Sequence, residues 1–387
     1  MRGYREILKA AGAATVALIL VVCAVACTVS RICGSGLCSG LELLAANSTM
    51  TSGSRYLEPG YLTKSPAKVH ENSIPAEESS APEEDKEKKA EETTSAKHAA
   101  EFISLAPDEK AREKYDREHE GEQQYPVEEF TITQGDIACE GVQVKNSSSF
   151  EPDLKKELEA RLGFTIQKTD KPQVLIYHTH THESFLEFDT GYYYESFYPR
   201  SDDPTKNVCA VGKEIADRLN EAGIVTIHDT TIHDNTYSGA YDRSFNTISS
   251  YLEKYPSIKV VLDIHRDGLG TDTSRSKPVF SVDGRKAAQI MILAGYNYEG
   301  ADYFEDWEYN LRFALQLQKK ILSRYPDMLR PLYLGDFMYN MNVNTGSLLI
   351  EIGADSNTVE EVRYSGWLLG EMLGEMLTEL SDTTKKS

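Results

Sequence analysis

The sequence has few basic residues for its length. It contains 41 Lys and Arg against 61 Asp and Glu, which gives a formal net charge of −20 over 387 residues. Binding to nucleic acid needs a basic footprint that releases counterions from the phosphates, so this composition argues against a nucleic-acid partner. The same deficit argues against peripheral attachment to an anionic membrane surface. Charge alone excludes no class of enzyme.

Cysteine and the common nucleophile and phosphate motifs are also scarce or missing. Of the six cysteines, only Cys139 and Cys209 lie far downstream, and two cysteines do not make a disulfide framework. No CxxC pair suggests a thiolate zinc site, and bridges between Cys33 and Cys38 or between Cys139 and Cys209 are not predicted. Neither a GxSxG elbow nor a GxxxxGK[ST] loop occurs. An aromatic-rich stretch, Tyr296–Tyr309, has residues that stack on sugars, but a tyrosine-edged loop and helix start is the favoured interpretation.

One long apolar run is present near the beginning. Residues 10–30 carry no charge, and about 21 residues suffice to cross a hydrocarbon core of about 30 Å. Arg2, Arg5 and Lys9 precede the run, so the positive-inside tendency leaves the amino end in the cytoplasm and the rest of the chain outside. A cleaved signal peptide is the alternative, but the run is long for one, which favours a retained anchor.

Composition divides the chain into three parts. Residues 1–44 form a short cytoplasmic stub and a transmembrane anchor. Residues 45–125 are rich in Glu, Lys, Ser, Ala and Pro, and cannot bury enough surface to offset their ordering entropy, which predicts a disordered acidic tether. Glu/Lys pairs between residues 95 and 122 favour a charged helix there that stays solvated. Residues 126–387 have regular apolar patterning and are long enough for one substantial core.

Strand and helix patterns alternate through the last part. Short apolar runs at residues 174–177, 259–264 and 348–352 indicate buried strands, and helical spacing separates them. The predicted fold is therefore α/β, a single three-layer domain with a mostly parallel central sheet and helices on both faces.

Polar residues follow three of these strands. The strand VLIY is followed by His178, Thr179, His180, Thr181, His182 and Glu183, while VVLDI is followed by His265 and SLLI by Glu351. Because the carboxyl ends of parallel strands meet at one edge of a sheet, these side chains are expected to lie together.

Two imidazoles and one carboxylate suit a catalytic zinc whose fourth position is left to water. We predict His180, Glu183 and His265 as the ligands. His178 either orients a ligand through a hydrogen bond or replaces one. Glu351, in an otherwise apolar strand, fits the general base that takes a proton from water and passes one to the leaving amine.

The three segments VLIYHTHTHESF, VVLDIHRDG and SLLIEIGADSNTVEE resemble, in order and spacing, those of the stage II sporulation protein P family of membrane-anchored peptidoglycan hydrolases. The resemblance implies hydrolysis of the N-acetylmuramoyl–L-alanine amide, with cleavage of stem-peptide cross-links also attributed to the family. It further implies wall thinning during engulfment of the forespore. The implied partners are a sporulation transglycosylase, protein D, and a multispan membrane protein, protein M.

The domain is also similar, more distantly, to zinc-dependent cell-wall amidases, and His180, His265 and Glu351 match their motifs. The second ligand departs from that pattern, because the amidases carry a glutamate just before the next helix, where this chain has Asp202–Asn207. Glu183 is therefore the predicted ligand, and Glu187, Asp189 and Glu195 are its alternatives.

Two other functions fit the same residues. A zinc carboxypeptidase also uses an HxxE pair with a distant histidine and glutamate, and Arg266 or Arg243 would then hold the terminal carboxylate of the substrate. A non-catalytic anchored scaffold is the third possibility. The intact Glu351 and strand-end histidines count against it.

Overall fold

A computed structural model of the chain describes residues 109–297 and 304–384, all within one compact unit, Ala81–Ser387. The predicted membrane anchor and most of the predicted tether lie outside the described residues. Within those two ranges, no helix is both long enough and apolar enough to cross a membrane.

The described residues form six α-helices and thirteen β-strands. The helices are α1 (Glu109–Glu118), α2 (Leu154–Glu159), α3 (Val208–Glu221), α4 (Ala240–Lys254), α5 (Trp307–Leu322) and α6 (Val359–Thr384). The strands up to the middle of the unit are β1 (Gln124–Phe130), β2 (Ile137–Cys139), β3 (Val142–Asn146), β4 (Val174–Tyr177), β5 (Tyr192–Tyr194) and β6 (Thr226–His228). The remaining strands are β7 (Val260–Asp267), β8 (Gly270–Thr271), β9 (Ser274–Val282), β10 (Arg285–Ala288), β11 (Ile290–Gly295), β12 (Leu332–Gly335) and β13 (Ser347–Ala354).

The main sheet has eight strands in the order β2-β3-β12-β11-β13-β7-β4-β6. Only the β2/β3 and β11/β13 pairs are antiparallel, so the prediction of a mostly parallel central sheet is confirmed. The strands that the sequence marks as ending in polar residues, β4, β7 and β13, are adjacent and parallel.

Helices cover both faces of this sheet. Alternate residues of β4 point to opposite sides. Val174 and Ile176 pack in the core that contains Val211 of α3, whereas Leu175 packs in a second cluster with Ile248 of α4.

A second sheet was not predicted. It has the order β10-β9-β1-β5, with β8 paired to β9. A single three-layer domain is therefore an incomplete description. The sequence signal is weak because these strands alternate poorly: β1 reads QYPVEEF, with a proline and three polar residues, and its burial is only partial.

Local signals set the helix ends near the site. The side chain of Asn207 accepts a hydrogen bond from the backbone N–H of Cys209 and caps α3. At the start of α6, Thr358 and Glu361 form a reciprocal capping box: each side chain accepts a hydrogen bond from the other residue's backbone N–H.

The predicted tether extends too far toward the folded part. Helix α1 has no fully buried residue, yet the ring of Tyr115 lies 5.1 Å from that of Phe188 and 5.5 Å from that of Tyr194. The hydroxyls of Tyr192 and Tyr194 both donate to Asp116. The charged sequence gives no sign of these contacts, because only the face of α1 that carries Tyr115 packs against other aromatic rings. The folded part therefore begins at or before residue 109.

Candidate active site

The ends of β4, β7 and β13 bring the predicted site residues together. His265 on β7 lies opposite Glu351 on β13 in the parallel register, and Asp263 lies opposite Tyr177, the last residue of β4. Alternation along β7 puts Asp263 and His265 on the same face of the strand.

The register of β13 shifts just after Glu351, between Glu351 and Ala354. Gly353 occupies this irregularity with a φ of 67°, and a Cβ atom there would lie 2.7 Å from Oδ1 of Asn357. Only glycine fits this turn without strain. The backbone therefore bends away directly after the predicted base.

His265 lies between two carboxylates. Its Nδ1 is 3.3 Å from Oε2 of Glu183. Its Nε2 is 2.9 Å from Oδ1 of Asp263, in an ion-pair contact without hydrogen-bond alignment. Asp263 is itself held by the backbone N–H and the hydroxyl of Thr179. This carboxylate orients the imidazole as the outer partners of metal-binding histidines do.

His180 completes the group and is 6% exposed. Its ring centroid lies 5.3 Å from that of His265, with the planes at 83°. The ring of Tyr237 stacks on its face at 4.5 Å, and Nδ1 lies 4.0 Å from Oδ2 of Asp234. We refer to His180, Glu183, His265 and Glu351 as the strand-end site.

Two buried polar atoms of the strand-end site have no hydrogen-bond partner: His180 Nδ1 and Glu351 Oε2. Buried polar atoms are almost always paired, so two in one site indicate a missing group. Two imidazoles and a carboxylate also match the donors that zinc prefers. The ligand atoms of His180, Glu183 and His265 are not all within 4.8 Å of one another, so holding one ion requires their side chains to rotate inward.

The electrostatics of the site favour a cation. Burial raises the pKa of Glu183, but the hydrogen bond and charge of His265 and the charge of Arg266 outweigh it and hold that pKa at about 2. Burial likewise lowers the pKa of His265, but Asp263 and Glu183 raise it well above its ordinary value. The two carboxylates thus stay ionised and stabilise positive charge between them.

Glu351 behaves differently from Glu183. Burial, followed by the nearby charge of Asp267, raises the pKa of Glu351 to about 8. The group can therefore hold a proton near neutral pH, as general acids and bases do.

His178 is placed beneath the strand-end site. Its Nδ1 lies 2.9 Å from the carbonyl oxygen of Ile264, and its Nε2 lies 2.8 Å from Nε2 of His228. Both ring nitrogens are engaged, so the alternative in which His178 replaces a ligand does not fit this arrangement. His178 therefore supports Ile264, the residue of β7 that precedes His265.

His182 also faces away from the other two histidines. Its Nδ1 lies 2.8 Å from Asp234, and its Nε2 lies 3.0 Å from Asp202. The alternatives to Glu183 lie elsewhere: Glu187 pairs with Lys206, Asp189 with Lys277, and Glu195 is exposed.

One carboxylate cluster in the described ranges resembles a metal site by distance alone. Oxygens of Glu129, Asp189 and Glu361 lie within 4.8 Å of one another. The ammonium group of Lys277 lies 3.2, 2.7 and 2.8 Å from these three residues in turn, and Lys286 contacts the first two. Two lysines already supply the positive charge, so this cluster is a salt-bridge network.

The two arginines considered for a carboxypeptidase are occupied by backbone carbonyls. Arg266 donates to the carbonyls of Ser184, Asp267 and Pro199. Arg243 donates to those of His233, Thr236 and Ser238. Neither guanidinium is available for the terminal carboxylate of a substrate.

Sequence reasoning missed Asp263 and Tyr237. A signal existed for Asp263, because an aspartate inside the apolar strand VVLDI, two residues before His265, must share its face. No sequence signal pointed to Tyr237, because only the tertiary structure brings its loop next to His180.

The fold and the site together define a class of protein. It is an α/β protein in which two imidazoles and two carboxylates lie at the ends of parallel strands, and one carboxylate has a lowered pKa while the other has a raised pKa. The family model of stage II sporulation protein P (SpoIIP) matches residues 55–374. The chain belongs to that family.

A curated relative agrees with this assignment. Stage II sporulation protein P of Bacillus subtilis (strain 168) is 26% identical over 219 residues, which cover 54% of this chain and 51% of that protein. The chain thus matches about half the length of this curated relative.

Solved structures of two amidases are also similar. N-acetylmuramoyl-L-alanine amidase AmiC2 of Nostoc punctiforme has a TM-score of 0.32 at 13% identity, with 57% of this chain and 99% of that chain covered. The CwlD amidase from Clostridioides difficile, in complex with the GerS lipoprotein, has a TM-score of 0.33 at 11% identity, with 54% and 99% covered. A similarity of this extent assigns no activity to this chain.

Proposed function

We propose that this chain is a zinc-dependent peptidoglycan hydrolase that cleaves the amide between N-acetylmuramic acid and L-alanine of the stem peptide. The observation that carries the proposal is the pair of buried atoms without a hydrogen-bond partner, His180 Nδ1 and Glu351 Oε2, beside His265. Family membership supports a role in sporulation, for which we propose thinning of the septal wall and engulfment of the forespore.

His180, Glu183 and His265 would hold the zinc ion. Bound zinc would polarise the scissile carbonyl and make a water molecule more acidic. Asp263 fixes the ring of His265 from behind, and the ring of Tyr237 packs on the face of His180. The position of the His265 donor thus depends on a residue that need not touch the ion.

Glu351 would carry the proton. In its ionised form the unpaired Oε2 accepts a proton from the attacking water, and it then delivers a proton to the nitrogen of the departing alanine. An ordinary carboxyl is ionised at neutral pH and is a weak base, so it neither takes the proton of water readily nor keeps one for the amine. Burial raises the pKa of Glu351 to about 8, which makes its carboxylate a stronger base and lets it hold the proton until the amine leaves.

Cleavage of peptide cross-links at the same site remains part of the proposal, since the same groups serve any amide. Removal of a single terminal amino acid is disfavoured, because Arg266 and Arg243 are both committed to backbone carbonyls. Nothing in the strand-end site favours a purely structural scaffold, since a scaffold has no use for a buried carboxylate oxygen without a hydrogen-bond partner, such as Oε2 of Glu351.

The place of action is proposed from the sequence. Residues 10–30 would anchor the chain in the cell membrane, with the hydrolase part on the wall side and peptidoglycan as its substrate. The transglycosylase protein D and the membrane protein M are the proposed partners, on the basis of the family resemblance alone.

Product analysis tests the activity. The full chain, loaded with zinc, is incubated with purified peptidoglycan, and the products are identified by mass. Free stem peptides and sugar strands with intact lactyl groups are expected, and chelation of zinc should abolish their release. Release of single terminal amino acids would identify a carboxypeptidase instead, and unchanged peptidoglycan would contradict the hydrolase proposal.

A further inference from the structure

Tyr237 holds an unusual position for a surface residue. It is 50% exposed, yet its ring lies 4.5 Å from the ring of His180 with only 3° between the planes. One face of the ring therefore covers a predicted zinc ligand. Half of the residue still faces solvent.

The loop that carries Tyr237 is held firmly. Arg243, on α4, donates hydrogen bonds to the carbonyls of His233, Thr236 and Ser238 on either side of it. His233 is pinned in turn, with Nδ1 2.8 Å from the carbonyl oxygen of His178. These contacts keep the ring at the site and lower the ordering cost that a ligand would meet there.

The ring of Tyr237 lies beside the strand-end site, because it stacks on His180 and the ring of His180 lies 5.3 Å from that of His265. Tyr237 is therefore next to the groups that would hold the scissile carbonyl.

The covalent structure of the substrate indicates what the ring of Tyr237 can bind. In N-acetylmuramoyl–L-alanine, three bonds separate the carbonyl carbon of the lactyl group from the pyranose ring. A substrate whose carbonyl lies at His180 and His265 therefore has its sugar within reach of Tyr237, whose ring stacks on that of His180. The C–H faces of a pyranose are apolar and pack well on an aromatic ring.

We propose that the solvent-facing side of Tyr237 stacks on the muramic acid ring and thereby selects amides attached to a sugar. This inference rests on the proposed function and names the sugar subsite of the same site. Tyr296, in the aromatic-rich stretch of the sequence, does not offer this platform, because its ring packs against Phe150 and Trp307 at 5.2 and 4.8 Å.

Two substrates with the same scissile amide test the proposal. N-acetylmuramoyl-L-alanyl-D-isoglutamine contains the sugar, and D-lactoyl-L-alanyl-D-isoglutamine lacks it. In Tyr237→Leu, kcat/KM for the first substrate should fall roughly tenfold more than for the second, mainly through KM. Tyr237→Phe keeps the ring and should keep the wild-type ratio. Phe245→Leu is the matched control, because Phe245 is a 40% exposed aromatic on α4.

Binding gives a readout that does not depend on turnover. In zinc-loaded Glu351→Gln protein, calorimetry should show roughly tenfold weaker binding of the muramoyl compound when Tyr237→Leu is added, with unchanged binding of the lactoyl compound. Zinc affinity measured in parallel should stay the same.

Equal losses for both compounds, or a matching loss of zinc affinity, would overturn the proposal, since Tyr237 would then act only through His180. If the wild-type chain cleaves neither compound, the proposed hydrolase function is wrong. The calorimetric comparison still decides whether Tyr237 binds the sugar.

Discussion

At the scale of single residues, the strand-end site contains two glutamates with opposite properties. Glu183 is held ionised by His265 and Arg266, with a pKa of about 2. The pKa of Glu351 is raised to about 8 by burial and by Asp267. Pairs of titratable groups whose environments separate their pKa values commonly divide into a ligand or nucleophile and a proton carrier.

Glu351→Gln should retain zinc and the fold but lose turnover. The amide is nearly isosteric but cannot accept the proton of water, and general acid–base catalysis typically contributes about 10²–10⁴-fold. Zinc content, thermal unfolding and release of stem peptides should be measured together. Glu187→Gln is the matched control, because Glu187 pairs with Lys206 outside the site. Loss of zinc from Glu351→Gln would make Glu351 a ligand, and unchanged turnover would exclude it as the base.

His265→Ala and His180→Ala should each remove most of the bound zinc, because two of three ligands seldom hold the ion. His182→Gln is the control, since both nitrogens of His182 contact aspartates rather than the strand-end site. Metal analysis after dialysis is the measurement. Full zinc retention in His265→Ala would refute the predicted ligand set.

The sequence predicted which strands end at the site because each apolar run is followed directly by polar residues. It favoured His180 as the ligand over His182 but left the role of His178 open. His178, His180 and His182 alternate along one segment, and only tertiary contacts decide which ring nitrogens remain free: His178 is engaged by His228, and His182 by two aspartates.

At the scale of elements, α3 and β6 pack against β4 around two paired histidines, the buried His178 and the half-buried His228. A Cβ atom on Gly212 of α3 would lie 2.6 Å from Nε2 of His228 and 2.7 Å from Cε1 of His178. The glycine allows the helix to approach this closely. Burial lowers the pKa of His178 to about 3 and that of His228 to about 4.

This pair should make the free energy of unfolding sensitive to acid. Above pH 6.5 both rings are neutral in the folded and unfolded chain. As the pH falls from 6.5 toward 4, the unfolded chain takes up protons that the folded chain does not. Stability present above pH 6.5 is therefore lost on acidification, by up to about 1.4 kcal/mol per pH unit and histidine.

His228→Gln should flatten this acid dependence, because one of the two depressed groups is gone. Denaturant unfolding of zinc-free protein at pH 7.5, 6 and 5 is the measurement. His98→Gln, in the predicted tether, is the control and should keep the wild-type slope. The same slope in His228→Gln would show that this pair does not contribute to acid sensitivity.

Regular elements of the main sheet were predictable because β4, β7 and β13 are short, almost wholly apolar runs between helices. The second sheet was not, because its strands owe their pairing to distant partners. Buried Lys277 of β9 illustrates this, since it bonds Glu129 on β1, Asp189 and Glu361 on α6. A lysine in the strand sequence SRSKPVFSV carries no local sign of such a network.

At the scale of the whole molecule, the folded part extends into the sequence that composition assigns to the tether. Helix α1 and segment 184–206 line a cavity of about 610 Å³. The hydroxyls of Tyr192 and Tyr194 on β5 donate hydrogen bonds to Asp116 of α1. The charged surface of α1 made it look like solvated spacer, although its aromatic face belongs to the fold.

A chain that begins at Val127 should therefore be less stable than one that begins at residue 105. The shorter chain loses the ring contacts of Tyr115, two hydrogen bonds to Asp116 and the pairing of residues 124–126 with β5. Together these contribute about 2–3 kcal/mol to the free energy of unfolding, and their loss should lower Tm by several degrees. Tyr115→Ala in the full chain is the matched variant and should give part of the same loss without truncation. Zinc binding should survive in every chain, because α1 supplies no residue to the strand-end site. Equal Tm values for the two truncated chains would show that the folded domain begins at residue 126, as the sequence predicts.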